Sequence, residues 1–237
     1  MGPKNRLIVA LDVDTQKKAL DLCDKLKGEV VAVKIGSELF SSCGPSVVEA
    51  VIKNGVKVFL DLKFHDIPNT VSKAVLSATR LGVFMVNVHA LGGYEMMKKA
   101  SESVMIEAQR MKIEKPKLIA VTILTSMDEK ALKKVGIDDN INREVLRLAV
   151  LAKDAGLDGV VASPKETALI RQKLGKDFII VTPGVRPTWT EAQDQKRIAT
   201  PADAIRDGAS FIVVGRPVIE APDPAGAARR ILKEIGQ

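Results

Sequence analysis

The most informative segment of the chain is a short run of charged residues with the spacing Asp61-x-Lys63-x-x-Asp66. In a β-strand, side chains two positions apart point to the same face, so Asp61 and Lys63 are expected to share one. Lys34 adds a second cation from another predicted strand. Several charges are tolerated together in a protein interior only as a mixed cluster, in which each has a partner. The pattern predicts an alternating array of two lysines and two aspartates.

Two interpretations of this array are open from the residues alone. A salt-bridge network that only stabilises the fold would use the same residue types, and such networks also perturb pKa values. A catalytic site that depends on charged groups would place them at the functional end of the fold. The concentration of four such residues on neighbouring strands favours the catalytic interpretation.

A second pattern is typical of a phosphate site. A predicted strand leads into Gly215-Arg216, where glycine lets backbone N–H groups approach an anion and arginine offers a forked, permanent charge. Arg186 and Gln195 lie in a long polar loop, residues 183–198, and a loop of this length is often a lid. For Gly-Arg alone, an exposed turn is the structural alternative. Together with the basic and polar residues of the loop, the Gly215-Arg216 pair favours phosphate binding.

The elements that must position these residues alternate between two patterns. Short, continuous apolar runs are typical of strands covered on both faces in a parallel sheet. Between them lie longer segments with helical periodicity. The predicted strands are 6–12, 30–35, 56–61, 83–89, 117–122, 159–162, 178–182 and 211–214. The predicted helices are 15–26, 45–53, 68–81, 93–112, 142–155, 165–174, 201–207 and 224–235.

Eight strand–helix units in a chain of 237 residues predict an α/β fold of the (β/α)₈ TIM-barrel type. A doubly wound open sheet is the alternative, but no GxGxxG follows the first predicted strand. No linker rich in Pro, Gly or Ser divides the chain, so we expect a single domain over residues 1–237. In such barrels the chemistry lies where strands end and βα loops begin. Other polar residues at these ends are Asp12, Asn87, His89, Thr122 and Thr125.

Composition excludes several classes of function. The chain has 36 Lys plus Arg against 29 Asp plus Glu, a net charge of +7, but the basic residues are scattered. With six Phe, one Tyr and one Trp, few side chains could stack on bases, so we expect no nucleic-acid partner. No apolar run approaches the roughly 20 residues of a membrane span. We therefore expect no membrane association.

The metal-ligating residue types are sparse. Cys23 and Cys43 lack CxxC spacing, and the chain has two His, so a zinc site is not expected. Two isolated cysteines are typical of free thiols in a reducing cytoplasm. His89 at a strand end suits either an acid–base group or a core histidine, and His65 either acts directly or orients its neighbours.

Longer motifs around these residues resemble a known family. The run Asp61-Leu62-Lys63-Phe64-His65-Asp66-Ile67-Pro68-Asn69-Thr70 is similar to the signature of the orotidine 5′-phosphate decarboxylase family, bacterial type. The resemblance covers essentially the whole chain, from Leu11-Asp12 to Gly215-Arg216. Three further motifs support it: Val121-Thr122-x-x-Thr125-Ser126, Thr182-Pro183-Gly184-Val185-Arg186 and Asp194-Gln195-x-Arg197.

The resemblance implies a (β/α)₈ homodimer that acts on a nucleotide monophosphate with neither metal nor organic cofactor. It implies that Lys63 protonates C6 of the pyrimidine, that Asp61 lies beside the departing carboxylate, and that Lys34 and Asp66 complete the array. The residues it implies for substrate binding are Asp12 and Lys34 at the ribose, Thr125 at the ring, Pro183, Arg186, Gln195, Gly215 and Arg216 at the phosphate, and Ile67 and Thr70, which with Asp66 reach into the partner's site.

The physics of that reaction suits these residues. Loss of CO₂ leaves a vinyl-type carbanion at C6, which the ring stabilises poorly, so charges must favour the transition state over the ground state. An ammonium group attracts the developing carbanion and then supplies the proton. A carboxylate facing the substrate carboxylate at about 4 Å opposes it by roughly 4 kcal/mol at an effective dielectric near 20.

Two alternatives remain. Related barrel families, such as 3-keto-gulonate-6-phosphate decarboxylase and hexulose-phosphate synthase, share Asp-x-Lys-x-x-Asp but stabilise an enediolate with Mg²⁺ and place Glu where this chain has Lys34. An ammonium group cannot be a magnesium ligand. The second alternative is a non-catalytic barrel that binds phosphorylated ligands or nucleic acid. The complete set of Lys34, Asp61, Lys63 and Asp66 argues against it.

Overall fold

The computed structural model describes residues 2, 6–190 and 199–236. Eight parallel strands pair in sequence order and the first pairs with the last, so the sheet is a closed barrel. This confirms the predicted (β/α)₈ fold and excludes the open sheet. The strands are β1 (Leu7–Ala10), β2 (Ala32–Gly36), β3 (Val58–Phe64), β4 (Met85–His89), β5 (Lys117–Val121), β6 (Gly159–Val161), β7 (Ile179–Thr182) and β8 (Phe211–Val214).

All eight predicted helices are present, with ends shifted by no more than one residue. Three short helices, α2 (Ser37–Cys43), α6 (Glu129–Lys134) and α10 (Arg216–Ile219), were not predicted, because they are too short for an amphipathic pattern. The helices are α1 (Gln16–Leu26), α2 (Ser37–Cys43), α3 (Ser46–Lys53), α4 (Pro68–Arg80), α5 (Tyr94–Met111), α6 (Glu129–Lys134), α7 (Ile141–Asp154), α8 (Pro164–Leu174), α9 (Pro201–Arg206), α10 (Arg216–Ile219) and α11 (Pro224–Ile235).

The apolar side chains form two layers. Alternate strand residues, among them Ile8, Phe59, Met85 and Phe211, fill the barrel interior. The residues between them pack outward against the helices in a larger cluster. Both faces of each strand are therefore buried, which explains why the strands are continuous apolar runs in the sequence. Among the described residues, no helix has the length and apolar character needed to cross a membrane.

Strand β3 departs from regular pairing at the point where its charged residues lie. Leu60 pairs with Val86 and Phe64 with Val88, so β3 carries two more residues than β4 over this interval. Lys63, within the bulge, has a backbone φ of +50°. Few residues other than glycine adopt such a φ, because Cβ then crowds the backbone. The bulge places both Asp61 and Lys63 at the mouth of the barrel.

Candidate active site

Four charged side chains form an alternating line, here called the ion chain, at the carboxyl ends of the first three strands. Asp12 follows β1, Lys34 lies in β2, and Asp61 and Lys63 lie in β3. The Nζ of Lys34 is 3.5 Å from Oδ1 of Asp12 and 3.4 Å from Oδ2 of Asp61. The Nζ of Lys63 is 2.8 Å from Oδ1 of Asp61. Each inner charge thus has an opposite charge on both sides.

Asp66 does not join this line within one chain. It lies in the turn before α4, is exposed, and forms no ion pair with a described residue; its Oδ1 accepts the backbone N–H of Ile67 at 2.6 Å. Within the chain, Asp12 is therefore the second carboxylate of the array, in the place that the spacing assigned to Asp66. The reason is that Asp66 follows the end of β3, whereas Asp12 faces Lys34 from the adjacent strand.

Asn87 of β4 holds the centre of the ion chain. Its Nδ2 donates to Oδ1 of Asp61 at 2.7 Å, and its Oδ1 accepts the backbone N–H of Lys63 at 2.8 Å. The side chain has no solvent exposure. The sequence showed Asn87 only as a polar residue at a strand end and indicated no role for it. The detectable signal was an amide between two valines of a buried strand.

The carboxyl group of Asp61 is held in its ionised form. Burial by itself would raise its pKa, because a buried carboxylate loses hydration. The ammonium groups of Lys34 and Lys63, and the hydrogen bonds from Lys63 and Asn87, outweigh burial and lower the pKa of Asp61 below its ordinary value. Asp61 is therefore a fixed negative charge between two cations at neutral pH.

Three members of the ion chain, all except Asp12, form one wall of a cavity of about 200 Å³ at the barrel mouth. Lys34, Asp61 and Lys63 lie on the charged side, while Thr125 and Pro183 approach from the loops after β5 and β7. The remaining surface is apolar. A flat ligand would lie against the apolar part with one edge facing the charges. The other lining residues are Phe59, Val121, Ile123, Leu124, Val161, Val181 and Val213.

The predicted phosphate residues lie beside the same mouth. Gly215 precedes α10, and Arg216, its first residue, is exposed. A Cβ added at Gly215 would lie 3.2 Å from Oδ2 of Asp12, so the glycine permits close approach of the two loops. Arg186, half-buried, donates its backbone N–H to Ala199 at 3.1 Å. Gln195 lies outside the described residues.

Ile67 and Thr70 lie away from the cavity of their own chain. Both are exposed at the start of α4, and Ile67 is 67% exposed. Neither lines the cavity that contains Lys63. A large apolar side chain with this exposure is compatible with contact to another molecule.

The comparisons with known proteins agree with this geometry. The model of the Orotidine 5′-phosphate decarboxylase / HUMPS family matches residues 5–231. The chain belongs to this family. A relative from Trichlorobacter lovleyi named "Orotidine 5′-phosphate decarboxylase" is 54% identical over 232 residues, covering 98% of this chain and 95% of the relative. A relative of the same name from Syntrophotalea carbinolica is 53% identical over 232 residues, with the same coverage.

Solved structures are similar along the whole chain. The orotidine 5′-phosphate decarboxylase of Lactobacillus acidophilus is 40% identical with a TM-score of 0.87, and the match covers 98% of this chain and 100% of that one. The enzyme of the same name from Pyrococcus horikoshii OT3 is 26% identical with a TM-score of 0.77, covering 98% and 99%. The resemblance inferred from the motifs is confirmed.

The two histidines of this family member form a stacked pair next to the ion chain. The rings of His65 and His89 are 5.4 Å apart, centroid to centroid. Burial, together with electrostatic repulsion from the neighbouring His65 and Lys63, lowers the pKa of His89 below its ordinary value. Nδ1 of His89 accepts the backbone N–H of Leu91 at 3.4 Å, which a neutral ring can do. The lowered pKa favours the neutral form of His89, in which the ring accepts from the backbone of the loop after β4.

A metal centre is not assembled by the part of the chain that the structure describes. Within it, no three His, Cys, Asp or Glu side chains come together in a group that could hold an ion. Between the carboxylates of Asp12 and Asp61 lies the ammonium group of Lys34. The position that a cation would take between two carboxylates is thus filled by a side chain.

Proposed function

We propose that the chain decarboxylates orotidine 5′-phosphate to uridine 5′-phosphate, a step of de novo pyrimidine biosynthesis. Membership of the family and the names of its relatives support this function. The observation that carries the mechanism is the ammonium group of Lys63, 2.8 Å from Asp61 and 38% exposed, on the wall of the cavity.

The proposed reaction uses Lys63 as the proton donor. The bond between C6 and the substrate carboxylate breaks, its electron pair remains on C6, and CO₂ departs. The ammonium group stabilises the developing carbanion and transfers one proton to C6. Lys63 then regains a proton from solvent, so the residue ends in its starting state.

Asp61 is proposed to favour departure of CO₂. Its negative charge, maintained by Lys34 and Lys63, faces the substrate carboxylate and repels it in the ground state. The repulsion ends as the carboxylate becomes neutral CO₂, so it favours the transition state. Lys34 keeps Asp61 ionised while Asp12 and Lys34 hold the ribose hydroxyls, and Thr125 contacts the ring.

The phosphate group is proposed to bind outside the reacting region. Arg216 supplies a forked cation, Gly215 exposes backbone N–H groups, and Pro183, Arg186 and Gln195 complete the site. Binding energy from this remote group can drive loop closure and expel water from the reacting carbon. The phosphate thus anchors the substrate without taking part in bond breaking.

The active form is proposed to be a homodimer, each subunit a single domain of residues 1–237. Asp66, Ile67 and Thr70 are exposed and do not line the cavity of their own chain, which supports their entry into the partner's site. Mixing inactive Asp66→Ala and Lys63→Ala proteins tests this assembly. Statistical exchange places one complete site in each mixed dimer, so about a quarter of native activity should return. No recovery after proven exchange would contradict the shared site.

The function is tested by incubating the purified protein with orotidine 5′-phosphate and following the loss of ultraviolet absorbance. Turnover in the presence of EDTA, unchanged by added Mg²⁺, is expected. Activity that disappears with EDTA and returns with Mg²⁺ would instead favour the magnesium-dependent relatives. Phosphate affinity without turnover would identify a binding barrel.

A further inference from the structure

The bulge in β3 leaves the backbone of Lys63 without a regular strand partner. Leu60 and Phe64 pair with Val86 and Val88, and the residues between them cannot all find partners on β4. The N–H of Lys63 bonds to a side chain instead, the Oδ1 of Asn87, at 2.8 Å. The side chain of Asn87 therefore takes the place of a backbone carbonyl group as the acceptor for this N–H.

The backbone at Lys63 is held in a conformation that its side chain disfavours. Its φ is +50°, in the left-handed region. A non-glycine residue persists there only when its surroundings determine the conformation, and such strain is concentrated at functional sites. The hydrogen bond from Lys63 to Asn87 ties this backbone to β4.

The same amide group also holds Asp61. Its Nδ2 donates at 2.7 Å to Oδ1, the oxygen that accepts from Nζ of Lys63. One side chain thus fixes the backbone of the cation and the carboxylate of its partner. Asn87 is fully buried and does not line the cavity, so it does not contact a ligand bound there.

We propose that Asn87 is a positioning residue: its amide holds Lys63 in the left-handed conformation and orients Asp61, so that the ammonium group faces the cavity. As a statement about turnover, this rests on the proposed function. Both hydrogen bonds are needed, and they require an acceptor and a donor on one short side chain. Ionised aspartate has the shape of asparagine but offers no donor, and it would place a second carboxylate against Asp61.

The turnover experiment compares Asn87→Ala and Asn87→Asp with the native protein. We expect kcat to fall by about 10²-fold or more in both variants, as misplacement of a reacting group by about 1 Å does, while KM changes by less than about threefold. Thr79→Val is the matched control. Thr79 is also fully buried and donates to Val75 at 2.8 Å, but it lies in α4, away from the ion chain.

The control should keep native kcat, even if its Tm falls as much as that of the Asn87 variants. Native kcat in Asn87→Asp would overturn the proposal, because shape alone would then suffice. A loss confined to KM, or an equal loss of kcat in Thr79→Val, would also overturn it.

A second measurement does not depend on turnover. The pKa of the Asp61 carboxyl group is followed by NMR in ¹³C-labelled protein without ligand. Loss of a hydrogen bond to the ionised form raises the pKa, so Asn87→Ala should shift it upward and Thr79→Val should not. An unchanged Asp61 pKa in Asn87→Ala would overturn the positioning role. If the native protein fails to decarboxylate orotidine 5′-phosphate, the proposed function fails, and this titration still decides the inference.

Discussion

Two carboxylates in this molecule, Asp61 and Glu107, each lie between two cations but in different surroundings. At the barrel mouth, Asp61 bonds to the ammonium groups of Lys34 and Lys63. On the outer ring, Glu107 of α5 accepts from Nε of Arg80 at 2.7 Å and from Nε of Arg110 at 3.0 Å. Hydrogen bonds from both arginines lower the pKa of Glu107 to about 2.

The difference lies in what the cations can do. A guanidinium group keeps its proton and satisfies a carboxylate with two parallel N–H groups, so the Glu107 cluster joins α4 to α5 and leaves nothing to react. An ammonium group is a compact donor with three N–H bonds, of which a carboxylate uses one or two. Lys63 therefore keeps a donor for the cavity. On the proposed mechanism, the same charge pattern is therefore structural with arginine and reactive with lysine.

Replacing a cation at each carboxylate gives the largest expected contrast. Lys63→Ala should lower kcat at least about 10³-fold, since both charge stabilisation and proton donation are lost. Lys63→Arg should lose turnover similarly, because arginine keeps the charge but not a transferable proton. Arg110→Ala should leave kcat unchanged. Steady-state decarboxylation assays measure all three, and a Lys63→Ala protein near the native rate would refute the assignment.

Arg216 extends the comparison to an arginine at the barrel mouth. It is proposed to bind the substrate phosphate without taking part in the reaction. Arg216→Ala should lower kcat/KM for orotidine 5′-phosphate by about 10- to 100-fold, since a charge-assisted contact is worth roughly 1.5–3 kcal/mol. With orotidine, which has no phosphate, the variant and the native protein should react equally. Arg206→Ala, which removes an arginine paired with Asp203, is the control. An equal loss of kcat/KM with both substrates would show that Arg216 does not bind the phosphate.

Glu107→Gln removes the negative charge from the carboxylate that is held by two arginines. The two arginines would lose their anion, so Tm should fall by a few degrees while kcat and KM stay native. Differential scanning calorimetry and the decarboxylation assay check the two halves of this prediction. Reduced kcat with unchanged Tm would mean that the Glu107 cluster influences the site. The assignment of a purely structural role to Glu107 would then be wrong.

The smallest expected effect is the pH dependence of stability. Because the pKa of Glu107 is about 2 in the folded chain and 4.5 ordinarily, its contribution to stability is complete above pH 4.5 and is lost as the pH falls toward 2. The Tm difference between native protein and Glu107→Gln should therefore narrow from pH 6 to pH 3. A constant difference over this range would show that the Glu107 charge contributes no stability.

Much of the fold was predictable because local pattern and global architecture agree. Continuous apolar runs identified strands buried on both faces, and eight of them with intervening helices closed into a barrel. The approach of Lys34 to Asp61 followed, because β2 and β3 are adjacent and their carboxyl ends meet at one edge. The short helices α2, α6 and α10 span seven, six and four residues, which is too few for a helical period to appear in the sequence.

The site was less predictable where it depends on register. Asp12 as the end of the ion chain depends on how the loop after β1 faces β2. The role of Asn87 depends on the bulge in β3. Neither spacing nor composition specifies where the register between two strands shifts. Asp66 was grouped with Lys63 by its nearness in sequence, yet the turn before α4 carries it away from the line within one chain.

The pairing of β1 with β8, where the barrel closes, affects the length of ligand that the site can hold. β1 pairs with β8 with Val9 opposite Val214. Asp12, proposed to hold the ribose, follows one strand, and Arg216, proposed to hold the phosphate, follows the other. A slip of one residue in this pairing would change the span between them by about 3.3 Å, more than a hydrogen bond tolerates. The pairing of the first strand with the last would therefore set the length of a ligand that reaches both residues.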